Sequence, residues 1–427
     1  MSRYAETLSK MISFKTISTK ENKYMSEVLA FNEFMKTRFP NIAKKCVWEN
    51  RDGAILIKLA GKSSAEPLVV MSHLDVADVE NQNWQKPAFS GEIADGMVWG
   101  RGSVDTKGSL CAMFEALEEL IIEKVTPQQD IYIFSSSREE IAGEDCPNVV
   151  KYFKENGIVP KLVVDEGGAM LDNPINGVSG RFAMIAMSER ARSKVLLTFN
   201  STEKMSAYEQ SQKAVKKLNK VKLSKMDFCP EVEAMFSALV PYMKFPMKTI
   251  FKHINIFKGL VVSIVPKVSR EARAMFGSTL GFSGVDEKNI NDKKLVLTVT
   301  VGSTYYSDIN KSTQNLTEIL KKMNIEYKID SVMQTVKPEP VGSEGFVTVS
   351  NAILKTFEGK VQPSPFIIFG GTDARHFVGY AKSVIRFVPL LLTQKQFSSV
   401  HKENEYLMAD TLDGAVAFYK TLIKDFK

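Results

Sequence analysis

Leu68-Val-Val-Met-Ser-His-Leu-Asp75 is the stretch on which the reading of this chain turns. Four apolar residues run straight into a histidine and an aspartate two positions apart. The run is short and valine-rich, as a buried strand is. Side chains alternate along a strand, so His73 and Asp75 emerge on one side. A neutral imidazole there can bind a metal ion while the nearby carboxylate fixes its orientation. A lone histidine at a strand end is more often structural, so the meaning of this pair depends on the rest of the chain.

Outward from this stretch the same pattern repeats. Residues 54–59, 131–134 and 162–164 are further apolar runs, alternating with helical stretches at 108–123 and 149–156. That alternation predicts an α/β layer structure, in which loops at the strand carboxyl ends converge on one crevice. Residues 131–134 lead to Glu139-Glu140, an adjacent pair in which one carboxylate can bind metal while the other moves protons. Residues 162–164 lead to Asp165-Glu166-Gly167, and 384–388 lead through a loop to His401 and Glu405. Before the helix at 108 stands Gly100-Arg-Gly-Ser-Val-Asp105-Thr-Lys-Gly108. This glycine-rich turn could cradle a phosphate, and Asp105 could be only a helix cap. The turn matches neither GxxxxGK[ST] nor GxGxxG. Each segment has a bland reading, but five at strand exits argue together for a site.

With 427 residues the chain exceeds what one hydrophobic core usually holds, so two domains are expected. Its 44% hydrophobic and 25% charged residues are ordinary for a globular protein. The net charge of +7 is mild and its lysines are scattered, which excludes a nucleic-acid-binding patch. Cys46, Cys111, Cys146 and Cys229 form no CxxC pair or disulfide framework. No signal peptide and no bilayer-spanning apolar stretch is visible, so the expectation is a soluble, reduced, cytoplasmic protein with no membrane partner. Near residue 190 the pattern changes to a strand (194–199), a helix (208–223), a Met- and Phe-rich helical stretch (231–275), then strand, helix and strand (295–301, 312–323, 325–330). Pro338, Pro340 and Gly342 mark the exit, and α/β character returns at 346–357, 366–369, 384–388 and 410–424. The expected division is 1–190 and 336–427 as one domain, with 191–335 inserted as a small α+β domain.

The order of motifs is itself distinctive. His73-x-Asp75, Trp84, Pro87-Ala-Phe-Ser-Gly91, the segment from Asp95 to Gly108, Glu139-Glu140, Asp165-Glu166-Gly167, Gly370-Gly-Thr-Asp-Ala-Arg-His376 and His401-x-x-Asn404-Glu405 follow one another. Together they resemble the aminoacylase/carboxypeptidase S family of zinc metallopeptidases. Val240-Pro-Tyr-Met-Lys-Phe-Pro246 resembles the carboxypeptidase S branch in particular. The resemblance implies a zinc-exopeptidase-like catalytic domain, a mixed sheet with helices on both faces, carrying an inserted lid. It implies two zinc ions, with manganese or cobalt as substitutes. Asp105 would bridge them, with His73, Glu140, His401 and one of Asp165 or Glu166, the latter preferred, completing the shells. Glu139 would be the general base and Asp75 would orient His73. Gly370, Gly371, Thr372, Asp373 and Arg375 would hold a dipeptide or N-acyl amino acid. A homodimer through the lid follows from the same resemblance.

The chain also departs from that family. Relatives carry Gly-Gly-His-Ser-Ser after the first lid strand; here the stretch reads Asn200-Ser-Thr-Glu-Lys-Met-Ser-Ala207. No arginine lies between Arg273 and Arg375, where relatives keep a carboxylate-binding one, and Arg138 stands where they mostly have Asp. His253 and Lys204 are the candidate replacements. These departures bear on transition-state stabilisation and carboxylate recognition rather than on the metal ligands. The alternative function is a catalytically weak relative acting as a binding or regulatory protein, against which the full ligand set with Glu139 argues.

Overall fold

Residues 68–71 end a long strand at the centre of a ten-stranded sheet in the computed structural model, which describes residues 2–427. In chain order the strands are β1 (Val47–Arg51), β2 (Ala54–Leu59), β3 (Ser63–Met71), β4 (Ile93–Ala94), β5 (Met97–Trp99), β6 (Gln129–Ser135), β7 (Leu162–Asp165), β8 (Met170–Asp172) and β9 (Arg181–Ser188). There follow β10 (Ala191–Asn200), β11 (Thr279–Ser283), β12 (Lys294–Ser303), β13 (Glu326–Met333), β14 (Val361–Ile367), β15 (Ser383–Arg386), β16 (Leu391–Leu392) and β17 (Tyr406–Met408). The large sheet runs β1-β2-β6-β3-β7-β15-β9-β8-β16, with β14 joined to β9.

Neighbours β6, β3, β7 and β15 are parallel, so their carboxyl ends share one edge of the sheet. Both faces are covered, which is why these strands read as continuous apolar runs. Ile57, Leu68, Val70, Ile133 and Val164 face the core shared with helices Arg3–Ile12, Lys107–Ile122 and Thr411–Asp425. Their alternating neighbours Leu56, Val69, Phe134 and Val163 pack on Val149 and Phe153 of helix Asp145–Glu155.

A separate antiparallel sheet, β11-β12-β10-β13, carries helices Ala207–Leu218 and Ile309–Lys322 and encloses its own core around Val195, Leu197, Val299, Leu316 and Leu320. The helical stretch between them behaves differently. Val232, Phe236, Phe251 and Val261 of helices Pro230–Leu239, Met247–Lys252 and Ile254–Ile264 belong to the main core, although the chain enters and leaves them through the small sheet.

The large sheet holds strands beyond the sequence reading: β1, β8, β9 and β16 were not expected, and β3 and β14 begin earlier than expected. β9, Arg-Phe-Ala-Met-Ile-Ala-Met-Ser, was not expected, because alanine and methionine give no strand preference and burial alone holds it extended. β14 begins five residues before the expected 366 and runs through Pro363 and Pro365. It pairs only with β9, an edge position where prolines lacking an N–H are tolerated.

Candidate active site

His73, the Glu139–Glu140 pair and Glu166 sit where parallel strands end, while Asp105 comes from the turn before helix Lys107–Ile122 and His401 from the loop before β17. His73 follows β3, and a ring nitrogen, Nδ1, lies 2.9 Å from the main-chain oxygen of Asp75. A carbonyl only accepts, so Nδ1 carries a proton, which leaves the inward-facing Nε2 as the atom able to bind a metal once it is deprotonated. The Asp75 carboxylate lies 3.4 Å from the same ring nitrogen and is completely buried. It accepts the N–H groups of Glu139 and Glu140, each at 3.1 Å, and so fixes the turn that follows β6.

His73 Nε2, Asp105 Oδ1 and Oδ2, His401 Nε2 and Glu140 Oε2 form a chain of three contacts, each 3.0 Å long. Glu166 Oε1 lies 3.7 Å from His73. Ligand atoms of His73, Asp105 and Glu140 fall within 4.8 Å of one another, as do those of His73, Glu139 and Glu166. Asp165 turns away: its Oδ2 accepts the Ala374 N–H at 2.8 Å. Strand alternation explains why, since Asp165 still belongs to β7 and its neighbour points to the opposite side.

The electrostatics are those of crowded acids. Burial raises the Glu139 and Glu166 carboxyls well above their ordinary range, and nearby Asp105 adds to the rise at Glu166. Burial also lifts Asp373 to about 7. Burial would lower His73, but Glu166, Asp105 and Asp75 outweigh it and hold the imidazole well above its usual value. Hydrogen bonds to Asp105 and Glu140 raise His401 to about 10. Burial opposes ionisation of Asp105, yet the two imidazoles hold it far below the ordinary carboxylate range.

The Gly-rich turn does not hold a phosphate. The buried Glu405 carboxylate occupies its N–H groups, accepting from Gly102 (3.1 Å), Val104 (2.8 Å) and Asp105 (3.1 Å). Arg101 pairs with its other oxygen at 2.7 Å. Gln85 donates its N–H to Asn404 Oδ1 and Gln82 donates to the His401 main-chain oxygen, so the two loops are laced together. Glu405 therefore positions Asp105, a role its place in the sequence motif does not reveal.

These groups open into a cavity of about 790 Å³. Asp105, Glu139, Glu140, Glu166 and His401 line it, as do Gly370, Gly371, Thr372, Asp373 and Arg375. The loop 370–375 is held by Glu189, which accepts the Thr372 N–H at 3.2 Å and lies 3.5 Å from Arg375 and 3.3 Å from Arg386. Next to it, buried Arg190 donates to the main-chain oxygen of Gly302 in β12 at 2.7 Å and to that of Gly277, just before β11, at 2.8 Å.

The family model described as Peptidase family M20/M25/M40 matches residues 69–425. The chain belongs to this family. A probable carboxypeptidase S-like 2 of Dictyostelium discoideum is 27% identical, over 99% of this chain and 84% of its own length. Human N-fatty-acyl-amino acid synthase/hydrolase PM20D1 is 24% identical, over 98% of this chain and 87% of its own. Among solved structures, the M20 family metallo-carboxypeptidase Sso-CP2 from Sulfolobus solfataricus superposes with a TM-score of 0.70 at 16% identity, covering 99% of both chains. Human carnosine dipeptidase 1 superposes at 0.72 and 12% identity, covering 99% of this chain and 95% of its own. These likenesses fix the fold as that of M20 peptidases, a catalytic domain with a lid.

Within this M20 fold, neither His253 nor Lys204 lines the cavity. Arg192 and Lys194 do, from the exposed side of lid strand β10, and His376 does from the turn Asp373–Phe377. Sequence reading missed the two cations because their alternation with buried Ala191 and Ser193 is that of a solvent-facing side of a strand. Arg138 points away and pairs with Asp145 and Asp52.

Proposed function

We propose that this M20 hydrolase cleaves the amide bond of N-acyl amino acids or dipeptides, using two metal ions and Glu139 as general base. The observation that carries the proposal is the chain His73–Asp105–His401–Glu140, beside Glu139 and Glu166, opening on one cavity. The donor set suits zinc, which favours imidazole nitrogen and carboxylate oxygen. Glu140 Oε1 is buried without a partner among the described residues, and the acids there outnumber the imidazoles, as a cation site requires. His73, Asp105, Glu140, Glu166 and His401 would hold the ions, Asp105 being shared; Glu166 is preferred to Asp165, whose carboxylate is already engaged. When bound, the ions supply Lewis acidity at the scissile carbonyl and a more acidic water.

The chain's own residues do the rest. Glu139 takes a proton from the attacking water and delivers it to the leaving nitrogen. Asp75 keeps Glu139 and Glu140 in place through their N–H groups. Arg192 and Lys194 bind the substrate carboxylate, standing in for the arginine this lid lacks. Phe366, Ile368, Phe369, Val388 and Leu392 form an apolar wall suited to an acyl group, which favours N-acyl amino acids over dipeptides. The division into a catalytic domain (1–190, 336–427) and a lid (191–335) whose helices at 230–264 pack on the main core, a homodimer through the lid and a reducing cytoplasmic setting for the four free cysteines belong to the same reading.

The test is a panel of N-acyl amino acids and dipeptides given to metal-stripped protein reloaded with zinc, manganese or cobalt. Glu139→Gln is expected to abolish turnover and retain bound metal. Near-normal turnover by that variant would overturn the base assignment, and no turnover of any panel substrate by the reloaded, unaltered protein would favour a binding or regulatory protein.

A further inference from the structure

Between Ala234 and Arg270 the chain has no aspartate or glutamate, against five lysines and one arginine. Helices Met247–Lys252 and Ile254–Ile264 run through this segment. Their inner side is anchored, with Phe251 and Val261 in the main core and Phe251 stacked on Phe236 at 4.2 Å. The outer side is apolar as well. Ile256, Leu260 and Ile264 recur every four residues, on one helix face, and are 78%, 47% and 51% exposed. Phe245 before the helices and Val268 after them are 85% and 72% exposed. Isolated apolar residues on a surface need no explanation, but a helical stripe of them does. Lys244, Lys248, Lys252 and Lys267 in the same segment are all exposed, while Lys258 leans towards Glu233 at 3.6 Å.

The charge decides what covers such a face. A second copy would bring the same lysines against the first set, with no acid in the segment to offset them. An anionic lipid surface meets both needs, because apolar side chains enter the headgroup boundary while lysines meet the lipid charge. We propose that the stripe Ile256–Leu260–Ile264, with Phe245 and Val268, docks this protein on anionic membranes. Among the described residues no helix is long and apolar enough to cross a bilayer. Lying on its surface requires none. The proposal stands apart from the catalytic reading, since none of these residues lines the cavity.

The experiment is co-sedimentation of the full chain with vesicles of phosphatidylcholine alone or mixed with phosphatidylserine. Binding is expected to the mixed vesicles only, and to weaken as salt rises. Ile256→Glu with Leu260→Glu should weaken it about tenfold or more, and Lys248→Glu with Lys252→Glu should do likewise. Melting temperature and the mass by light scattering should not change. No binding to the mixed vesicles, or binding by both variants equal to that of the unaltered chain, overturns the proposal. So does a change of oligomeric state in the Ile256/Leu260 variant, which would make the face an interface between copies.

Discussion

Glu405→Ala removes a carboxylate on which four groups converge. In the unaltered protein its oxygens accept three loop N–H groups at 2.8–3.1 Å and the Arg101 guanidinium at 2.7 Å. Burial raises the Glu405 pKa and Arg101 pulls it back, so the intact pair contributes little net stability. Breaking it is another matter, because the Arg101 side chain is only 1% exposed and would keep its charge with no counter-charge, only the neutral oxygens of Ala77, Lys402 and Gln82. Removing one partner of a buried pair costs about 3–5 kcal/mol. Each stranded N–H adds roughly 1–3 kcal/mol where water cannot reach it. These costs overlap once water enters the space left behind, so a loss of about 3–5 kcal/mol is expected. Urea unfolding followed by tryptophan fluorescence reads it, since Trp84 lies 5.3 Å from the Arg101 guanidinium and Trp99 packs on Tyr406. Turnover should fall as well, because Asp105 loses its support. The double variant Arg101→Met/Glu405→Met removes the stranded charge but leaves the loop N–H groups unmatched, so it should recover part of the loss. A single variant destabilised by under about 1 kcal/mol, or a double variant no better than the single one, would refute this account.

Glu140→Gln should lower bound metal per chain, measured by mass spectrometry, because an amide oxygen is a poorer ligand than a carboxylate; full metal content would remove Glu140 from the ligand set. Arg192→Ala with Lys194→Ala should raise KM roughly tenfold or more for substrates with a free carboxylate and leave their amides unaffected, so equal effects on both would end the carboxylate assignment. Metal uptake should release protons, because a ligating histidine must be neutral. With His401 raised to about 10 in the metal-free protein, apparent affinity should climb as pH rises towards that value, and pH-independent uptake by calorimetry would contradict its role.

Much of the candidate site is legible because the carboxyl ends of β3, β6 and β7 carry residues that a bare strand exit does not need. What was not legible depends on direction. Asp165 and Glu166 are chemically alike in sequence, and only the pleat of β7 sends one to the Ala374 N–H and the other to the cavity. Arg192 and Lys194 alternate with buried neighbours as any solvent-facing strand would, until the lid sheet stands over the cleft. β9 escaped notice for a different reason: its alanines and methionines are held extended by neighbours on both sides of the sheet rather than by any preference of their own.

Glu189 and Arg190 are adjacent in the chain and grip opposite bodies, one the substrate loop at 370–375, the other two carbonyls of the lid. A single peptide unit thus gears the two together. If the lid rotates, this linkage should carry the loop with it, and a ligand that holds the loop should slow the lid. Amide exchange at β11 and β12 should therefore slow when substrate binds, although neither strand lines the cavity.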